Sequence, residues 1–257
     1  MEKDSLFTSK TENLQHLNNM KTIGISIDGV IRDFYTEFDK QYRKAFIHNP
    51  SLVEMTKDMQ LKEQSVEELD DLDKRIELKE KELITLPLNS FDLSNHYKFE
   101  ETVAMDGETI LSPQEALKEF MFQKFPFNIF GKAEEYRGAC EAFNRIQAHG
   151  IQNNLYKTKL LTSYGGQILT ATWHFLATHN CRMRSFEFVQ EDYEKWDHCD
   201  ILIDCVPEVI QDIPDGKTII KIEHPFNQWD GAEHSFKSLS EITPKFIEEL
   251  LVGKKSS

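Results

Sequence analysis

The chain contains no run of 18 consecutive apolar residues, so nothing in it reads as a membrane-spanning helix. Cysteine is scarce. Cys140, Cys181, Cys199 and Cys205 form no C-x-x-C pair and show no zinc-finger spacing, which argues against a metal knuckle or disulfide framework and for a reducing compartment. Positive charge is in deficit: 30 Lys and Arg stand against 44 Asp and Glu, a formal net charge of −14 over 257 residues. Binding along a nucleic-acid backbone is driven by phosphate neutralisation and counterion release, so it is not expected here. A small phosphorylated ligand held by a local cluster remains open. There is no internal repeat and no low-complexity tract. The stretch Met1 to Met20 is too polar for the apolar core of a secretory signal, so a cytoplasmic setting with no membrane contact is expected.

What is present suits a folded α/β protein. Hydrophobic residues make up 39% of the chain and 18 phenylalanines supply a core, enough for one full domain with an insertion. Residues 1–20 have little apolar periodicity and are expected to be a mobile arm or docking segment. Short apolar runs bounded by turn or charged residues predict strands at Thr22–Asp28, Lys157–Thr162, Ser185–Val189, Asp200–Asp204 and Lys217–Ile222. Helical stripes fall between them at Glu134–His149, carrying Ala139, Ala142, Phe143 and Ile146, and at Gln167–His179, carrying Ile168, Ala171, Trp173 and Phe175. Strands alternating with helices predict an α/β Rossmann-like fold: a parallel five-stranded sheet with helices on both faces.

More than a hundred residues separate the first strand from the second, too many for one crossover. The expected organisation is a core domain over residues 21–32 and 131–257, with a helical cap inserted after strand 1 over residues 33–130. Within the insertion, Asp33–Ile47 reads as a helix. Ser65 and Glu68 form a capping box for a helix that stops at Pro87, with Leu69, Ile76 and Leu83 at heptad spacing; it serves as a solvated helix across the insertion or a partner-binding one. A third helix opens at Ser112, with Pro113 at its first position and Glu115 three residues beyond the cap.

In a parallel sheet, loops at the carboxyl ends of the strands converge on a ligand site. Here those ends supply Ser26 and Asp28, then Thr162 and Ser163, then Asp204 and Cys205, with Lys195 nine residues before Asp204. Each has a plain alternative. An aspartate after a strand forms turns, a Thr-Ser pair caps helices, Cys205 suits a buried apolar niche, and Lys195 lies beside Glu191, Asp192 and Glu194 as an ion-pair partner. Their joint placement at one sheet edge is what suggests a site.

The four segments "SIDGV", "LLTS", "EKWDHCDILIDC" and its terminal "LIDC" resemble, in order, the motifs of the haloacid-dehalogenase (HAD) phosphohydrolase superfamily, and within it the 5′(3′)-deoxyribonucleotidases. "GACEAFNRIQAHG" and "HPFNQ" look similar as well. The resemblance spans Thr22 to Phe34 and Gly131 to about Gln228. It implies a HAD-like fold, a nucleotide or phosphate ligand and Mg²⁺. By position, Ser26 stands in the nucleophile slot and Asp28 in the acid/base slot. Thr162, Ser163 and Lys195 take the phosphate contacts, with Lys195 also counted in the catalytic set. Asp28 and Asp204 take the metal contacts.

Two departures matter. The family pattern has aspartate where this chain has Ser26, and aspartate where it has Cys205, so the metal cage loses two carboxylates and Mg²⁺ is expected to bind weakly or not at all. A serine ester of phosphate would also lack the lability of an acyl phosphate. Two functions follow: a catalytically degenerate HAD protein with a binding or assembly role, or a slow Mg²⁺-dependent phosphatase on nucleoside monophosphates. The insertion pattern "FDLSNHYKF" then "FPFNIFGKA" is similar to bacteriophage-encoded relatives, which implies a virus particle or host-nucleotide handling as the setting. A protein partner is expected through the N-terminal arm or the cap helix.

Overall fold

The computed structural model describes residues 20–46, 88, 90–99, 101–105, 107–229 and 231–252. The expected arm up to residue 19 and the expected helix between Ser65 and Pro87 lie outside the described residues.

In chain order, β1 (Thr22–Ser26) and the two-residue β2 (Arg32–Asp33) lead into helix α1 (Phe34–Phe46). A small hairpin, β3 (Thr102–Val103) and β4 (Ile110–Leu111), precedes α2 (Pro113–Glu119). Two π-helical turns, Phe120–Lys124 and Phe127–Gly131, follow it. Then come β5 (Glu134–Glu135), α3 (Ala139–Gln152), β6 (Lys157–Thr162) and α4 (Gln167–Thr178). The last part holds β7 (Phe186–Phe188), β8 (Ile201–Asp204), α5 (Pro207–Gln211), β9 (Thr218–Ile222), β10 (His234–Phe236) and α6 (Pro244–Leu251).

The sheet is parallel throughout, in the order β10-β9-β8-β1-β6-β7. The five strands read from sequence are all there. A sixth, β10, extends the sheet beyond β9; His234–Phe236 is too short and too polar to announce itself as an apolar run. Both faces are covered, and the period of two along each strand shows it. Ile23, Ile25, Leu160, Ile201, Ile203, Ile220 and Ile222 face a core shared with Ala142, Phe143 and Ile146 of α3 and Phe175 of α4. Leu161, Leu202 and Ile219 face the other way, onto Trp196, Val209 and Ile210.

The insertion builds its own aromatic cluster from Phe34, Tyr35, Phe38, Tyr42, Tyr97, Phe120 and Phe130, closed by Ile168 and Ala171 of α4. The capping box at the start of α2 forms: Glu115 N donates to Ser112 Oγ, and Ser112 N donates to Glu115 Oε2 at 2.9 Å. The helix expected from Glu134 begins only at Ala139, because Glu134–Glu135 pairs antiparallel with Arg32–Asp33. Among the described residues no helix is long and apolar enough to cross a membrane.

Candidate functional site

β1 lies between β6 and β8, so its carboxyl end is flanked by those of both neighbours; Ser26 pairs with Leu161, and Ile25 with Ile203. This register brings Ser26, Asp28, Thr162, Ser163, Asp204 and Cys205 to one edge. Lys195 joins them from the helical turn Asp192–His198.

Beyond β1 the chain turns sharply. The N–H groups of Ile31 and Arg32 both donate to Ile27 O, at 2.9 and 2.8 Å, and Gly29 N donates to Arg32 O at 3.1 Å. Gly29 has φ +77° at the tip, and a Cβ there would lie 2.3 Å from Cys205 Sγ, so two independent constraints require glycine. The turn folds Arg32 back beside Asp28.

Asp28 is consequently engaged on both oxygens. Its Oδ1 accepts from Arg32 Nε at 2.8 Å and pairs with Nη2 at 2.7 Å, while Oδ2 accepts from Thr162 Oγ1 at 3.0 Å. Arg32 is fully buried. Its Nη1 donates to Phe130 O and Thr172 Oγ1 at 3.1 and 3.0 Å, and its guanidinium carbon lies 5.1 and 5.3 Å from the ring centres of Phe130 and Phe175. Sequence reasoning missed this residue. The signal was present as a lone arginine four residues after Asp28, at the end of an apolar run.

Asp204, fully buried, is engaged still more completely. Its Oδ2 accepts from Ser26 Oγ at 2.5 Å and Lys195 Nζ at 2.9 Å; its Oδ1 accepts from the backbone N–H of Cys205 at 2.6 Å and of Val206 at 3.1 Å. Four donors use the four acceptor positions of a carboxylate. Lys195 also pairs with Asp192 at 2.5 Å, and Ser163 Oγ donates to that same Asp192 at 2.9 Å. Burial alone would lower the Lys195 pKa, but Asp204 and Asp192 outweigh it and the net shift is upward, so the ammonium stays charged. Burial, reinforced by Asp204, pushes the Cys205 thiol well up and keeps it protonated.

These residues do not fit a hard divalent ion. Such an ion needs several oxygen ligands with free lone pairs. Asp204 has none left, Asp28 is held by a guanidinium and a hydroxyl, and the Asp28 carbonyl faces Cys205 Sγ at 3.7 Å. Among the described residues no group of three or more His, Cys, Asp or Glu is arranged to hold a metal.

The cleft above the sheet edge is lined by Asp28, Phe34, Thr162, Ser163, Asp192 and Lys195, with Tyr164 beside them. Its volume is about 10 Å³, room for about one water. Ser26, Asp204 and Cys205 do not line it, and Ser26 is 1% exposed. Of the residues singled out in the sequence, Asp28, Thr162, Ser163 and Lys195 meet the cleft, and the other three form a layer beneath it.

No protein-family model and no curated protein matches the sequence. Among solved structures, the chain is similar to a dehalogenase crystallised with an intermediate complex, at 12% identity and a TM-score of 0.44, covering 86% of this chain and 95% of that one. It is similar also to a second dehalogenase structure, at 10% identity and a TM-score of 0.43, covering 87% and 95%.

Proposed function

We propose that this chain is a HAD-like, nucleotidase-like protein whose phosphotransfer site is degenerate, and that it serves a binding or assembly role, with a phage particle as the setting that the motif resemblance suggests. The observation that carries this reading is the burial of the nucleophile slot. Ser26 lies beneath the cleft, 1% exposed, donating its proton to Asp204. Attack on phosphorus needs the hydroxyl in line with a substrate at van der Waals range. It also needs a base, and Asp204 already carries Lys195 and two backbone donors.

The charge balance supports the same reading. Three carboxylates, Asp28, Asp192 and Asp204, meet two internal cations, Arg32 and Lys195. Two of the three negative charges are offset from within the chain, so most of the neutralisation that a divalent ion would bring in an active relative does not depend on Mg²⁺.

A second reading is favoured by one observation: Asp28, Thr162 and Lys195 all face the cleft. In that reading Asp28 activates water directly and the protein is a slow phosphatase on nucleoside monophosphates. The test is phosphate release from p-nitrophenyl phosphate and a panel of nucleoside monophosphates with Mg²⁺. The expected result is a rate no higher than that of a mock preparation. Mg²⁺-dependent turnover that disappears in Asp28→Asn establishes the phosphatase instead.

A further inference from the structure

A second, roomier cavity of about 290 Å³ shares Tyr35 with the closed cleft. Its walls are Tyr35, Tyr136, His224 and Phe226, with Asp33, Thr36, Leu88 and Pro225 completing it. The rings form a connected surface. His224 and Phe226 stack at 4.9 Å with their planes 2° apart, Tyr35 lies 5.7 Å from Phe226, and Tyr136 lies 5.6 Å from His224. We infer that this cavity is a binding site for a small organic cation, a guanidinium or alkylammonium carried on a short apolar body.

The charge of the lining decides the class. Among the described residues, Asp33 is the one carboxylate in it. Its oxygens accept from Thr36 N at 3.2 Å and Thr36 Oγ1 at 2.7 Å, fewer bonds than the about four acceptor positions of a carboxylate. His224 Nε2 lies 2.7 Å from the Gly29 carbonyl, and burial holds its pKa below the usual imidazole range, so it enters as a neutral ring at pH 7. Ring faces carry negative quadrupole potential and attract cations within about 6 Å. An anion would meet Asp33 and the field of a chain of net charge −14. A neutral apolar ligand would desolvate Asp33 with nothing in return.

The protein already solves the same recognition problem internally. Arg32 sits on Asp28 with the rings of Phe130 and Phe175 beside it. The cavity repeats that set, a carboxylate with aromatic rings, and has room where Arg32 has none. This inference is independent of whether the closed cleft is catalytic.

The test is titration of the full chain with butylguanidinium and with its neutral isostere butylurea, followed by calorimetry and saturation-transfer NMR. Asp33→Asn removes the charge and keeps one oxygen as N-cap acceptor for Thr36 N. Its amide NH2 replaces the oxygen that accepts from the Thr36 hydroxyl, which can turn to accept from it, and Phe226→Leu tests the cavity without touching that cap. Butylguanidinium is expected to bind the wild type, to weaken about tenfold or more in Asp33→Asn and in Phe226→Leu, and butylurea to show no saturation transfer. Equal binding of the two probes, undiminished binding in both variants, or no binding of butylguanidinium at millimolar concentration each overturns the inference. Should Asp33→Asn not fold, Phe226→Leu decides alone.

Discussion

A guanidinium taken out of water loses several kcal/mol of hydration unless its partners replace it, and Arg32 has several. The Nε and Nη2 of its fork lie on one Asp28 oxygen, Nε as a hydrogen bond and Nη2 as an ion-pair contact, and a carbonyl, a hydroxyl and two rings surround the rest. Removing one partner of such a pair is worse than never having built it, because the other charge stays behind. Arg32→Met is therefore expected to lower unfolding stability by about 3–5 kcal/mol. Arg32→Lys keeps the charge but cannot span the fork, the Phe130 carbonyl and the Thr172 hydroxyl together, so it should recover only part of the loss. Urea unfolding of the three proteins checks this, and a lysine variant as stable as wild type would show that charge alone, and not the fork, holds the turn. The same comparison explains why this residue was hard to read beforehand. Arg32 follows Ile31 in an apolar run and precedes a helix, and nothing in that local context says that a turn will fold it back onto Asp28 and the insertion onto it. Asp28, Thr162, Lys195 and Asp204 were legible as neighbours because each ends or abuts a recognisable strand. Their being locked to one another was not, since hydrogen-bond partners 134 or 178 residues apart leave no mark in local pattern.

At the scale of elements, the sheet was legible because its strands are buried on both faces and so read as continuous apolar runs. The π-helical turns Phe120–Lys124 and Phe127–Gly131 were not, since a phenylalanine-rich stretch carries no period of its own; within it Phe120 and Phe130 are buried while Phe127 is 40% exposed and rests on His174 at 4.7 Å. Within β1 one glycine has a packing reason. A Cβ at Gly24 would lie 2.7 Å from Leu161 Cδ1 and 2.8 Å from Cys199 Sγ, both buried neighbours. Alanine would gain about 0.4–1 kcal/mol by restricting the unfolded chain. Against this, crowding a packed interior costs about 1–3 kcal/mol. The second effect wins, so Gly24→Ala is expected to lower the thermal midpoint, and Leu161→Val in the same chain to return part of the loss. A Gly24→Ala protein more stable than wild type would mean that β1 and its neighbours spread apart more easily than their burial implies.

The whole molecule carries a charge of −14, and its ion pairs fall into two populations that salt should separate. Arg32–Asp28 and Lys195–Asp204 are buried and little screened; in Lys21–Asp200, Lys40–Glu37 and Lys245–Glu249 the lysine side chain lies largely in water, and these pairs contribute little. What remains long-ranged is repulsion among the excess carboxylates. Raising ionic strength from a low value to about 0.15 M shortens the screening length to about 8 Å, which weakens that repulsion and leaves the buried pairs intact. The thermal midpoint is therefore expected to rise with NaCl at pH 7 and then level off. Under the same low-salt conditions, where electrostatic binding is strongest, duplex DNA should not be retarded by the protein on a native gel. A midpoint that falls with salt, or a DNA shift at low salt, would mean that the excess negative charge is segregated from a cationic face, and the acidic balance of the chain would no longer argue against a polyanionic partner.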